Sequence, residues 1–192
     1  MHLFGNYGKY RQFDLAQAFT AINSRLSIFT AIQIVMKFSL WTLGKAHEPY
    51  VKEGIAEYTK RIGKYFSVEW TIIPLPKNSG MMSEAELKKR EGETILQWLK
   101  PDDFLVALDE YGKEFNSVGL ASFIQQRATE STKNIVFLIG GAFGLHEDVL
   151  KKAKLKWSLS QLTFPHQLVR LILSEQLYRA CTILHNEKYH HK

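Results

Sequence analysis

Short apolar runs alternate along the chain with segments in which apolar residues recur every three or four positions. Runs of four to eight apolar residues fit buried strands, and the longer period fits one face of a helix. The pattern begins at Met36 and predicts strands at residues 37–43, 66–75, 104–108, 134–139 and 156–159. It predicts helices at residues 50–62, 83–99, 118–128, 147–153 and 167–185. Ser83 and Glu86 supply the two halves of a capping box for the second of these helices.

Strands separated by helices indicate an α/β fold, in which a parallel sheet is flanked by helices on both faces. Ligands of such sheets bind beyond the carboxyl ends of the strands. Three predicted strands end in loops of unusual composition, namely Leu108-Asp109-Glu110, residues 140–145 and residues 160–166. These three loops are therefore the predicted ligand site.

Composition indicates one globular domain with a polyanionic partner. The chain has 192 residues, 45% of them hydrophobic, which is enough for one core. A formal charge of +6 favours a polyanion, because neutralised phosphates release counterions. The lone cysteine, Cys181, cannot form an internal disulfide and lies in an apolar run, which fits a buried side chain in a cytosolic protein.

Residues 1–35 differ in pattern from the rest of the chain. Their apolar run is interrupted by polar residues such as Asn23 and Gln33, so a membrane span is not indicated. A signal peptide fits no better, because no compact basic start leads into an apolar core with a small-residue cleavage site. We interpret residues 1–35 as a non-essential extension or the product of an upstream start codon, and residues 36–192 as the functional domain.

Two of the candidate loops offer groups that a nucleoside-like ligand needs. The glycines of residues 140–144 lack the GxGxxG spacing of dinucleotide loops, but they let a flat or charged ligand approach the backbone closely. Residues 157–166 combine hydroxyls such as Ser160 and Thr163 with apolar side chains such as Leu159, which suits an adenine ring. A tight turn and local hydroxyl caps, both without a ligand, are the alternatives that these residues leave open.

The predicted last helix carries a polar band that includes Arg170, Glu175, Tyr178 and Arg179. Either its arginines bind phosphates and Glu175 orients them, or the band is a solvated face with Glu175 and Arg179 paired four positions apart. The histidines near the C-terminus match no zinc spacing, so the sequence predicts chemistry without a metal.

Three motifs together resemble the RlmH family of SPOUT-class methyltransferases, which methylate N3 of a pseudouridine in 23S ribosomal RNA. They are the GGxxGL turn at residues 140–145, the SLSxxTFPHxLxR segment at residues 158–170 and the EQLYRA segment at residues 175–180. The resemblance extends from residue 36 to residue 192. It implies a SPOUT-type sheet with a C-terminal trefoil knot, an obligate homodimer that binds S-adenosylmethionine, a ribosomal substrate in the cytoplasm, and no part for a membrane or a metal.

Carried over position by position, the resemblance implies two sets of site residues. The cofactor pocket would include Leu108, Gly140, Gly141, Leu159, Ser160, Gln161, Leu162, Thr163 and Phe164. The catalytic candidates are His166, Arg170, Glu175, Tyr178, Arg179, Tyr189 and His190. The chain departs from the family at Ala142 and Phe143, where relatives often have Pro-Glu, and at Lys188, where proline is common.

The resemblance leaves the individual roles in the reaction open. Arg170 or Arg179 would position an RNA phosphate. Either His166 or the Tyr189-His190 tail would assist deprotonation or base orientation, and the tail would do so across a dimer interface.

Two other functions compete with methyl transfer. A non-catalytic RNA-binding or ribosome-binding protein would use the same basic charge and the same arginines. A nucleotide-binding hydrolase would use the glycine turn for phosphate, but the chain lacks the P-loop lysine pattern and an acidic metal site.

Overall fold

The computed structural model describes residues 36–189, so the predicted extension and His190 lie outside the described residues. Strands and helices alternate along this part of the chain. The strands are β1 Lys37–Leu43, β2 Ser67–Ile73, β3 Phe104–Glu114, β4 Asn134–Ile139 and β5 Leu155–Ser158. The α-helices are α1 Pro49–Ile62, α2 Glu84–Trp98, α3 Ser117–Thr129, α4 Glu147–Lys152 and α5 His166–Leu184, and a 3-10 turn spans Ser79–Met81. All strand pairs are parallel, in the order β2-β1-β4-β3-β5, which confirms the predicted fold class.

Helices cover both faces of this sheet because its central strands are apolar on both sides. In β4, Ile135 and Phe137 belong to one core cluster, while Val136 and Leu138 belong to the other. The first cluster is completed by residues of α1, α3 and α5, and the second by residues of α2 and α4. The trefoil knot stays a prediction.

The third strand is longer than the sequence predicted. It pairs with β5 up to Leu108, departs from the regular register, and pairs again from Lys113 onward. Gly112 permits the return, since a side chain there would lie 2.6 Å from the carbonyl carbon of Lys156. The sequence predicted that the strand ends before Asp109 and Glu110, but these two residues lie in an irregular part within β3.

The other predicted boundaries agree to within about two residues. The strand at 37–43 and the strand at 134–139 match the structure, and the helix at 167–185 begins one residue earlier, at His166. Ser83 is the N-cap of α2, because its hydroxyl accepts a hydrogen bond from the Glu86 N–H at 3.2 Å. Between residues 36 and 189, no helix combines the length and apolarity that crossing a bilayer requires.

Candidate active site

The three segments that the sequence singled out as loops meet at one edge of the sheet. They line a pocket of about 450 Å³ that lies between the irregular part of β3, the ends of β4 and β5 and the start of α5. This volume is within the range of small-molecule sites, about 300 to 1,000 Å³. The predicted convergence of these loops is confirmed, and the pocket is the candidate site.

The glycine turn that follows β4 forms one wall of the pocket. A side chain on Gly140 would lie 3.1 Å from Cγ of Leu145, and a side chain on Gly141 would lie 2.5 Å from a carboxylate oxygen of Glu91. Gly144 adopts a φ of 78°, which L-residues disfavour. Both glycines line the pocket, and the space that their side chains would take is filled by Leu145 and Glu91. Close approach of a ligand to their backbone stays a prediction.

The loop between β5 and α5 forms the opposite wall. Its hydroxyls bond locally, since Ser158 donates to the Ser160 carbonyl at 2.9 Å and the Ser160 hydroxyl accepts from the Leu162 N–H at 3.0 Å. The Leu162 side chain is 69% exposed, and Phe143 across the pocket is 43% exposed. The loop therefore offers apolar surface to a ligand, while two of its hydroxyls serve as caps.

Most of the predicted cofactor residues line this pocket. Those that do are Leu108, Gly140, Gly141, Leu159, Ser160, Leu162, Thr163 and Phe164. Gln161 is exposed and is not among the lining residues. Ala142 and Phe143, where the chain departs from the family pattern, also line the pocket.

The pocket is acidic although the whole chain carries a charge of +6. Asp109 and Glu110, from the irregular part of β3, line it, and no lysine or arginine of the described residues does. The Asp109 carboxylate also accepts a hydrogen bond from the Tyr111 N–H at 3.0 Å, which orients it. Such a pocket favours a cationic or neutral ligand and disfavours phosphate. Phosphate binding by the glycine turn, as a hydrolase would need, is therefore disfavoured.

His166 is the catalytic candidate that borders the pocket. Partial burial, followed by the positive charge of Arg170, lowers the pKa of its imidazole below the ordinary value. The imidazole is therefore neutral at neutral pH, which is the form that can accept a proton.

Arg170, one turn further along α5, is 2% exposed and holds the segment that follows β1. Its guanidinium donates to the carbonyls of Lys45 at 3.0 Å and Leu43 at 3.4 Å, and it lies 3.3 Å from Nδ1 of His47. Beside it, Gln167 donates to the Ala46 carbonyl at 3.1 Å. The Arg170 guanidinium thus binds groups of the protein itself, whereas the sequence suggested that it binds an RNA phosphate.

The remaining described candidates form a separate cluster on α5 and the segment that follows it. Arg179 donates to a Glu175 carboxylate oxygen at 2.9 Å, and the Tyr189 hydroxyl donates to the same oxygen at 3.2 Å. The Tyr189 ring lies 4.8 Å from the Tyr178 ring and 4.8 Å from the Arg179 guanidinium. Burial, together with Tyr58 and Glu175, raises the pKa of Tyr189, so its hydroxyl stays a donor. We call Glu175, Tyr178, Arg179 and Tyr189 the tail cluster.

Within the single chain, the tail cluster does not reach the pocket. None of its members lines the pocket. Glu175 follows His166 by nine residues in α5, which corresponds to about 14 Å along the helix axis. The catalytic candidates are thus divided between the first turns of α5 and a cluster that begins at its middle.

Sequence reasoning missed Glu91 and the contribution of Asp109 and Glu110. Glu91 lies four residues before the buried Ile95, so it occupies the helix face that packs inward. A carboxylate in an inward-facing stripe was the available signal. The acidic pair was noticed as a strand end, but its charge was not used.

Comparison with known proteins assigns the chain to a family. The family model described as "Predicted SPOUT methyltransferase" matches residues 36–190. The chain belongs to the SPOUT methyltransferase family. Within the described residues of this SPOUT protein, no group of three or more His, Cys, Asp or Glu side chains could hold a metal ion.

Curated relatives share nearly half of their residues with this SPOUT methyltransferase. Ribosomal RNA large subunit methyltransferase H of Cytophaga hutchinsonii is 48% identical over 156 residues, which are 81% of this chain and 100% of the relative. The protein of the same name from Parabacteroides distasonis is 46% identical over 82% of this chain and 100% of its own length. Among solved structures, a probable methyltransferase from Bordetella pertussis Tohama I matches with a TM-score of 0.47 at 10% identity, over 81% of this chain and 99% of that chain.

Proposed function

We propose that this SPOUT methyltransferase transfers the methyl group of S-adenosylmethionine to N3 of a pseudouridine in 23S ribosomal RNA. The acidic pocket at the carboxyl edge of the sheet is the observation that carries the proposal. Relatives that match over their whole length are named as large-subunit ribosomal RNA methyltransferases, which supports the RNA substrate. With a ribosomal substrate, the protein would act in the cytoplasm.

The residues around the pocket fit this methyl donor. Leu108, Leu159 and Leu162 offer apolar surface for an adenine ring. Asp109 and Glu110 offer negative charge for the sulfonium and ammonium groups. When bound, S-adenosylmethionine supplies an electrophilic methyl group on its sulfonium. The chain's own residues then orient the acceptor base, exclude water and remove one proton.

Two groups of this chain are suited to the proton step. His166 borders the pocket and is neutral at neutral pH, so it can accept the N3 proton. Tyr189 keeps its proton, so it can only orient or polarise the base, and the role of base in the tail would fall to His190.

A homodimer would bring the divided candidates together. In a two-fold assembly, the tail cluster of one protomer can lie beside the pocket of its partner, whereas about 14 Å of helix separates the two within one protomer. Arg179 is then the candidate for an RNA phosphate, because its guanidinium is partly exposed and ordered by Glu175. The positive charge of the chain supports RNA binding outside the acidic pocket.

The acidic pair should select the methyl donor over its demethylated product. We expect Asp109→Asn and Glu110→Gln each to weaken S-adenosylmethionine binding by about threefold, because exposed charges interact weakly in water. Binding of S-adenosylhomocysteine, which lacks the sulfonium charge, should weaken less. Calorimetry with both ligands measures the ratio, and Glu114→Gln, exposed on β3 beyond the pocket, is the matched control. Equal weakening of both ligands by Asp109→Asn would contradict selection by charge.

The function itself is tested by mass spectrometry of 23S ribosomal RNA from a strain that lacks the gene. The proposal predicts the loss of one methyl group on a pseudouridine. Expression of the protein from a plasmid should restore this methyl group. An unchanged modification profile would overturn it and favour the non-catalytic RNA-binding alternative.

A further inference from the structure

Glu91 is a buried carboxyl for which the proposed reaction has no use. It lies in α2 and is 4% exposed. Burial raises the pKa of its carboxyl. Placing an ionisable carboxyl on a helix face that packs inward costs free energy, so its presence there calls for a functional reason.

The Glu91 carboxyl lies directly behind the glycine wall of the pocket. A side chain built on Gly141 would lie 2.5 Å from Oε2, 2.9 Å from Oε1 and 3.0 Å from Cδ of Glu91. The carboxyl therefore fills the space that any other residue at position 141 would need. Gly141 lines the pocket, so Glu91 supports the pocket wall from the side that faces away from the ligand space.

The neighbouring residue of α2 contacts the far side of the same segment. A side chain on Gly92 would lie 2.7 Å from Cβ of His146, the N-cap residue of α4. Glu91 and Gly92 thus contact residues 141 and 146, which bracket the turn. One short stretch of α2 supports the pocket wall at both ends.

We propose that Glu91 is a positioning residue whose carboxyl, seated behind Gly141, holds the glycine turn in the shape that binds the methyl donor. The identity of the ligand rests on the proposed function, whereas the contact between Glu91 and Gly141 does not. Glu91 acts through Gly141 and does not touch the reacting atoms. A carboxyl of this size, and not its charge alone, is the required feature.

A double-mutant cycle tests the contact. Gly141→Ala should weaken S-adenosylmethionine binding by about tenfold in the wild-type background, because the new methyl group would lie 2.5 Å from Oε2 of Glu91 and one of the two groups must shift. The same substitution should weaken it by about threefold or less when Glu91→Ala has vacated the space. Gly140→Ala is the matched control, since its side chain would meet Leu145 and the backbone of Gly144 instead, and Glu91→Ala should not relieve it.

Single substitutions of Glu91 test its task in the reaction. Glu91→Gln keeps the shape and should keep the KM for S-adenosylmethionine within about twofold, whereas Glu91→Ala should raise that KM by about tenfold and leave the KM for RNA unchanged. Glu91→Met fills the space without a buried carboxyl, and we expect it to unfold at higher urea concentration than the wild type while it binds the donor more weakly. If Glu91 had only a structural role, Glu91→Met would not raise the stability of the protein and weaken donor binding at the same time.

Two results would overturn the inference. One is wild-type affinity for S-adenosylmethionine in folded Glu91→Ala, and the other is an additive cycle between positions 91 and 141. The same double-mutant cycle can be measured on urea midpoints, where it reports the coupling between Glu91 and Gly141 in the absence of any ligand. If the wild-type protein binds no S-adenosylmethionine but the urea cycle shows coupling, the proposed function fails while the contact stands.

Discussion

Deletion of residues 189–192 is expected to lower methyl transfer to RNA by at least about a hundredfold and to leave the affinity for S-adenosylmethionine unchanged, because the loss of a group that assists proton transfer has effects of this size. The deletion removes the Tyr189 hydroxyl from Glu175 and the Tyr189 ring from Arg179. None of these residues lines the pocket, so donor binding should not change. Single-turnover assays and calorimetry measure the two quantities separately.

Two companion variants sharpen the interpretation of this deletion. Tyr189→Phe keeps the ring contacts and lacks the hydroxyl, so it isolates the hydrogen bond to Glu175. Lys188→Ala alters an exposed residue of the same segment and should have little effect. Full turnover in the deleted protein would refute a role for the tail.

The same deletion can show whether the tail acts across a dimer. A protomer that lacks residues 189–192 is mixed with a protomer whose pocket is blocked by Leu159→Trp. If the tail completes the partner's pocket, mixed dimers regain activity, because one intact pocket then meets one intact tail. If the mixture stays inactive although mixed dimers form, the tail acts within its own protomer.

Arg170→Ala is expected to lower the free energy of unfolding by about 3 kcal/mol, because it removes the charge-assisted hydrogen bonds of a buried guanidinium. The guanidinium contacts Leu43, Lys45 and His47, so lysine, with a single ammonium group, should not restore the loss. Urea unfolding monitored by tryptophan fluorescence checks this value.

The matched arginine control is Arg90, whose guanidinium pairs with Glu86 on an exposed part of α2. Arg90→Ala should leave the urea midpoint unchanged, since exposed ion pairs contribute little. Unchanged stability in Arg170→Ala, together with weaker RNA binding and a smaller dependence on salt, would return Arg170 to the phosphate-binding role.

The sequence predicted those elements whose cause is local. The strand at 134–139 carries a continuous apolar run after Asn134, and the strand at 37–43 is mostly apolar, so composition and length sufficed. Ser83 was predictable as a cap because the hydroxyl and the N–H that it satisfies are three residues apart. The loops at the strand ends followed from the parallel topology, which fixes where carboxyl ends gather.

The sequence could not show features that depend on contacts between distant residues. The second half of β3 exists because Gly112 approaches Lys156 on β5, and no local pattern encodes that pairing. The sequence suggested that Gly141 lets a ligand approach the backbone. The structure shows that the absence of a side chain at this position also makes room for Glu91, fifty residues earlier in the chain. Arg170 belonged to a polar band by its spacing, yet its surroundings are set by the segment after β1.

The attachment of α5 to the segment after β1 has a consequence for synthesis on the ribosome. Arg170 and Gln167 bind the carbonyls of Lys45 and Ala46, more than a hundred residues earlier. In a nascent chain, the segment that follows β1 can reach its final structure only after the start of α5 has left the ribosome. The pocket is therefore a late product of vectorial folding, and a chain truncated before residue 166 would lack both a wall of the pocket and the bonds that order residues 43–47.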